Sequence, residues 1–188
     1  MKVLFIHNHY KLAGGEDIAV KLQEELFIRK GDDVRVVLFD NSEISSGFPL
    51  VTGINSIYNK NSKQQIAKEI ASFRPDVIHI HNLFFLASPS VLFAASEAKV
   101  PVIFTLHNFR LICCNAFLLR DQAICELCTQ KTLPFSGIRY KCYRSSHVHS
   151  ALVTAITSAH KLMGTWKNKV NTYIALTEFG KAKFLNSS

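Results

Sequence analysis

Residues 101–107, PVIFTLH, decide the architecture. Val102, Ile103, Phe104 and Leu106 form a short apolar run between Pro101 and the polar pair His107 and Asn108. A run with so little alternation predicts a strand buried on both faces, as in a parallel sheet. Ligands of open parallel sheets sit beyond the carboxyl ends of the strands. His107 stands at such an end, and the rest of the chain reads as built around that edge.

Outward from this strand the same pattern recurs. Residues 2–7 (KVLFIH), 34–39 (VRVVLF), 75–81 (PDVIHIH) and 173–176 (YIAL) predict further strands. Helical spacing separates them over 16–30, 62–73 and 89–99. In the first helix Ile18, Ala19, Leu22 and Leu26, with Val20 and Phe27 less regularly placed, predict the inward face. Gly31 ends it, as a C-terminal glycine does. In the second helix Ile66, Ile70 and Phe73 point inward. Residues 41–60, with Phe48, Leu50, Val51, Ile54, Ile57 and Tyr58, predict a loop and a short helix over the sheet edge. Residues 145–170 are mostly helical, and Thr177 caps a last helix running to Phe184. The alternation predicts an α/β, Rossmann-like three-layer domain with a mostly parallel sheet.

Composition bounds the function. The chain has 188 residues, enough for one α/β domain with a small insertion. An apolar fraction of 48% is ordinary for a globular protein and argues against disorder. No run approaches the roughly eighteen apolar residues of a membrane span. The opening apolar run stops at His7 and Asn8, unlike a signal peptide, so the expected location is cytoplasmic. The net charge of +8 fits plain solubility or an anionic partner. The basic residues are scattered, densest at 139–144 (RYKCYR) and 161–169. That suits phosphates or an anionic membrane surface better than a DNA-reading helix.

Gly14 and Gly15 precede the first helix. They either let the chain turn or leave backbone N–H groups open to a phosphate. The fingerprint G-x-G-x-x-G is absent, so no NAD or flavin is expected. His79 reads as a buried or capping histidine. His81, beside Asn82 at a strand's carboxyl end, is the better site candidate.

Residues 109–142 break the βα rhythm and read as an insertion. Residues 117–125 (FLLRDQAIC) predict a hairpin around Asp121 and Gln122. All five cysteines, at 113, 114, 125, 128 and 142, fall in or beside this stretch. In a reducing compartment such a cluster points to metal or redox chemistry rather than a disulfide frame. Four thiolates would close a tetrahedral structural zinc site. Reduced packed thiols and a redox pair are the competing readings. No His-x-x-His or similar set accompanies them, so a catalytic zinc is not expected.

The stretches MKVLFIHNHYKLAGGEDIAVKLQEEL, FRPDVIHIHN, PVIFTLHNFRLIC, CELC, KCYR and YIALTEFGKAKF occur in that order. Together they resemble the N-terminal half of glycosyltransferase family 4, the retaining GT-B enzymes of bacterial surface polysaccharide synthesis. The resemblance implies two Rossmann-like domains in the whole enzyme. The N-terminal one holds a glycan or lipid-linked sugar acceptor, and the C-terminal one holds most of the nucleotide-sugar donor. It implies that Gly14 and Gly15 approach the donor diphosphate and that His107 lies at the reaction centre. It places His81, Asn108 and Glu178 on the acceptor side, although Glu178 also reads as first-turn charge on the last helix. Some members carry similar cysteine-rich insertions in which proline follows the residue matching Cys113. The implied ligand set is therefore Cys113, Cys125, Cys128 and Cys142.

Nothing in the sequence corresponds to the family's C-terminal domain. The chain is expected to cover 1–188 as an acceptor-side domain, inactive alone, with a C-terminal domain supplied in trans or lost by truncation. It is expected in the cytoplasm, peripheral on the inner face of the membrane. A non-catalytic module binding a glycolipid or partner, or a truncated remnant, is the alternative. A nucleic-acid module would need a basic face around 139–144 and is not expected. Arg110 and Arg120 would meet acceptor phosphates or lie on a solvated surface. Trp166 would pack the long helix or sit at a membrane face.

Overall fold

The opening apolar run continues two residues past its expected end. In the computed structural model, which describes residues 1–9, 14–41 and 50–187, the strands are β1 (Lys2–His9), β2 (Asp33–Asp40), β3 (Val77–Ile80), β4 (Val102–Leu106), β5 (Leu119–Arg120), β6 (Ala123–Ile124) and β7 (Thr172–Ala175). The helices are α1 (Gly15–Arg29), α2 (Leu50–Ile57), α3 (Lys60–Phe73), α4 (Val91–Glu97), α5 (Phe135–Arg139), α6 (His147–Leu162), α7 (Thr165–Asn168) and α8 (Glu178–Leu185). The chain divides into two compact units. The first is Met1–Thr105 with Lys167–Ile174, and the second is Leu106–Trp166 with Ala175–Ser188.

The first unit carries the sheet, in the order β2-β1-β3-β4-β7. β1 pairs in parallel with β2 on one side and β3 on the other, and β3 pairs in parallel with β4. Val3, Leu4, Phe5, Ile6, Ile78, Ile80, Val102 and Phe104 are buried. A strand covered on both faces has no solvent side to mark with polar residues, which is why these runs lack alternation. Burying each such side chain stabilises by about 1.5–3 kcal/mol.

α3 lays Ile66, Ile70 and Phe73 inward, as its spacing predicts. Asn59 caps it, its Oδ1 accepting the N–H groups of Asn61 (3.0 Å) and Ser62 (3.2 Å). Asparagines also pin the segment after β3. Asn8 Oδ1 accepts the Ala87 N–H at 2.9 Å, and Asn82 Oδ1 accepts that of Phe84 at 2.9 Å. Asn41 donates to the Phe84 carbonyl at 2.8 Å and accepts from Phe85 and Leu86.

α1 forms and ends at Gly31 (φ +85°) as expected, but its inward face is a different one. Ile18, Leu22 and Leu26 are 63%, 56% and 45% exposed, whereas Val20 is buried. Phe27 packs edge-on against Phe5 of β1, ring centroids 5.7 Å apart. The helix is turned so that Asp17, rather than Ile18, meets the sheet; polar contacts described below set that rotation. Residues 10–13 of the expected glycine loop, and residues 42–49 of the expected loop before α2, lie outside the described residues.

In the second unit, β5 and β6 form the expected antiparallel hairpin. Asp121 (φ +51°) and Gln122 (φ +62°) both take left-handed conformations, the geometry of a type I′ turn. The long helical stretch is broken at Gly164 (φ +65°) into α6 and α7. Trp166 is buried there, its Nε1 donating to the Thr157 carbonyl at 3.3 Å and its ring on His160. It packs the long helix. Thr177 caps α8, its Oγ1 accepting the Gly180 N–H at 3.0 Å. Among the described residues no helix is long and apolar enough to cross a membrane.

Candidate functional site

Alternation along a strand puts every second side chain on one face. On β1 this aligns Phe5, His7 and His9; on β3 it aligns His79 and His81. The two sets meet. Phe5 lies against His79 (5.1 Å between centroids) and His81 (5.6 Å), and His79 stacks on His81 at 4.4 Å. His7 meets His9 at 5.1 Å and His81 at 6.3 Å, both edge-on. Four imidazoles thus share the face that α1 covers.

Asp17, in the first turn of α1, closes this group. Its Oδ1 lies 2.9 Å from His7 Nε2 and 2.5 Å from His9 Nδ1, and its Oδ2 accepts the Gly14 N–H at 2.6 Å. The last bond is half of a capping box, the half that a glycine N-cap can make. His7 is fully buried, Asp17 nearly so, and the His9 side chain is 35% exposed. His7 Nδ1 is buried without a hydrogen-bond partner among the described residues.

The charges follow from these contacts. Burial pushes the His7 pKa below its ordinary value, and the bond to Asp17 only partly offsets this. Burial alone would raise Asp17, but the Gly14 N–H and the two imidazoles more than offset it, so its carboxyl titrates below the usual range. The cluster therefore rests as neutral His7 and ionised Asp17 at neutral pH.

Of the residues singled out from sequence, Gly14, Gly15 and His81 fall in the first unit. Gly14 is the N-cap of α1 and Gly15 its first residue. Nothing among the described residues lies within 4 Å of where a Gly15 Cβ would stand, so packing does not demand glycine there. His81 is buried within the imidazole group rather than open at the edge, and His79 bonds Thr105 Oγ1 at 2.8 Å. The sequence reading passed over His9 and Asp17. The alternating pair His7 and His9 and an acid three residues past Gly14 were the available signals.

The remaining predicted residues fall in the second unit. His107 and Asn108 are half-buried, and Asn108 Oδ1 accepts the Arg110 N–H at 2.9 Å. The Glu178 side chain is 91% exposed and pairs with Lys181 at 3.7 Å. Arg110 bonds the Cys114 carbonyl and stacks on Tyr143, 4.6 Å from its centroid. Arg120 stacks on Tyr140 at 3.9 Å and pairs with Asp121. Both arginines are engaged within their own unit rather than simply solvated.

All five cysteines are free thiols. Burial pushes Cys114, Cys128 and Cys142 up. The Cys113, Cys142 and Cys125 thiols raise Cys128 further. Among the described residues, the group of ligand atoms lying within 4.8 Å of one another is instead His7, His9 and Asp17; no three sulfurs gather that closely.

The sequence profile of Glycosyltransferase Family 4 matches residues 19–162, most of the chain. This chain belongs to Glycosyltransferase Family 4. Its fold is also similar to solved structures. The UDP-GlcNAc 2-epimerase of Methanocaldococcus jannaschii matches with a TM-score of 0.51 at 13% identity, over 98% of this chain and 42% of that one. A UDP-N-acetylglucosamine 2-epimerase described as putative, from Listeria monocytogenes, matches with a TM-score of 0.50 at 11% identity, over 98% of this chain and 41% of that one. At such identities the likeness is one of fold alone. The family 4 chain thus spans about two fifths of the solved chains it resembles. No curated protein matches the sequence.

Proposed function

We propose that this family 4 domain is the acceptor-side half of a retaining glycosyltransferase. It would serve transfer of a sugar from a nucleotide-sugar donor to a glycan or lipid-linked acceptor in bacterial surface polysaccharide synthesis. The observation that carries this reading is the family match over residues 19–162, which runs from within α1 to the end of α6 and includes β4 and His107.

The residue chemistry supports it. Breaking a sugar–phosphate bond leaves negative charge on the departing diphosphate. N–H groups at the start of α1 are suited to stabilise that charge. The Gly14 N–H is held by Asp17, and those of Asp17 and Ile18 donate to the Gly14 carbonyl, so this role falls to the Gly15 N–H. His107, following β4, would bond sugar hydroxyls and orient the acceptor beside Asn108. His81 acts as a positioning residue through its contacts with His7 and His79. Glu178, exposed on α8, is available to an acceptor. In this reading the donor-binding domain acts in trans or lies in further sequence, and the chain works in the cytoplasm at the inner membrane face.

The test is a transfer assay with labelled nucleotide-sugars and a polyprenyl-diphosphate-linked saccharide. The isolated chain is expected to bind the saccharide and transfer nothing. Turnover by the isolated chain would place a whole active centre in these residues and overturn the half-enzyme reading.

A further inference from the structure

We propose that His7, His9 and Asp17 bind one divalent transition-metal ion, with Zn²⁺ the best fit, through His7 Nε2, His9 Nδ1 and Asp17 Oδ1. These three atoms lie within 4.8 Å of one another. Two imidazole nitrogens and one carboxylate oxygen form a borderline donor set. It suits Zn²⁺, Co²⁺ or Ni²⁺ and not Ca²⁺ or Mg²⁺, which favour oxygen shells.

The scaffold is built for such a shell. β1 pairs with β2 along its whole length, His7 opposite Leu38 and His9 opposite Asp40, so the sheet fixes the spacing of the two histidines. Asp17 is fixed at the first turn of α1, and Phe27 of the same helix anchors on Phe5. The Gly14 N–H holds Asp17 Oδ2, which leaves Oδ1 turned to the two imidazoles. A hydrogen bond from outside the shell to a ligating carboxylate is what orients metal ligands. Access is from His9, the most exposed of the three.

The geometric adjustment is small. Donors about 2.1 Å from a shared ion stand roughly 3.4 Å apart in a tetrahedron. The present separations of 2.5 and 2.9 Å open by less than about 1 Å to reach that. Loading turns both imidazoles to the tautomers whose lone pairs face the ion. Three protein ligands leave a fourth position for water or a ligand oxygen. If a donor diphosphate approaches Gly15, as the proposed function has it, the cation would offset the Asp17 charge there. The binding test needs no donor and stands apart from that reading.

The test uses the whole chain stripped with a chelator. Zn²⁺ is added in equilibrium dialysis, and the imidazole ¹⁵N signals are followed by long-range ¹H–¹⁵N NMR. The expected result is saturable uptake that moves the His7 Nε2 and His9 Nδ1 signals. His9→Ala is expected to weaken Zn²⁺ at least about tenfold. Co²⁺ separates this site from the cysteines, because only thiolate ligands give an intense sulfur-to-cobalt charge-transfer band. Unmoved His7 and His9 signals, uptake seen only with that band, or unchanged affinity in a folded His9→Ala chain would each overturn the proposal. If His9→Ala fails to fold by circular dichroism, the NMR result on the unaltered chain decides.

Discussion

His7 Nε2 on β1 lies 2.9 Å from Asp17 Oδ1 on α1, and this contact joins the strand to the helix at the end where α1 begins. The same carboxylate takes His9 and the Gly14 N–H. Three donors therefore depend on one side chain. Replacing Asp17 with Ala leaves them without their acceptor and is expected to cost about 2–3 kcal/mol. Urea unfolding with a chelator present measures it; unchanged stability would remove Asp17 as the anchor of α1.

Acid should weaken the fold through the same cluster. The His7 pKa is depressed by burial, so the unfolded chain takes up a proton near about pH 6.5 that the folded chain refuses until lower pH. This contribution is complete above about pH 6.5 and falls away as pH drops toward the folded value. Asp17, also depressed, adds a second loss only below about pH 4. Urea midpoints at pH 7, 6 and 5 in chelator are expected to decline in that order. A midpoint that rises from pH 7 to 5 would contradict the account.

How far the sequence revealed this depends on which force set each element. β1, β3 and β4 were legible because burial on both faces leaves unbroken apolar runs. α3 was legible because Ile66, Ile70 and Phe73 follow the helical period and are the buried face. α1 was misread because its rotation is set by Asp17 bonding two histidines, which an apolar periodicity does not register. The expectation that β1 stops at His7 hid the rest. Only with the strand reaching His9 do both imidazoles fall on one face.

Of the asparagines that pin the segment after β3, Asn41 makes three of the bonds. Asn41 is buried and bonds Phe84, Phe85 and Leu86. Asn41→Ala leaves two N–H groups and a carbonyl unsatisfied and is expected to cost about 2–3 kcal/mol. Hydrogen exchange should show the Phe85 and Leu86 amides losing protection. Retained protection would show that other contacts hold the segment.

Gly137 in α5 is constrained by contact rather than conformation. A Cβ there would stand 2.7 Å from Cys114 Cβ and 3.3 Å from its Sγ. Gly137→Ala is expected to destabilise the second unit by about 1–3 kcal/mol. Thermal unfolding reads this directly, and an unshifted transition would show that α5 does not pack on Cys114 as described.

The acceptor-side role proposed for this family 4 domain requires that it recognise a sugar. The direct measurement is the affinity of the isolated chain for a polyprenyl-diphosphate-linked saccharide in detergent micelles, against the same lipid diphosphate lacking sugar. The account predicts saturable binding that requires the saccharide. It also predicts about tenfold weakening by His107→Ala, equivalent to one hydrogen bond of about 1.4 kcal/mol. Equal affinity for the sugarless lipid, with His107→Ala indistinguishable from the unaltered chain, would contradict it.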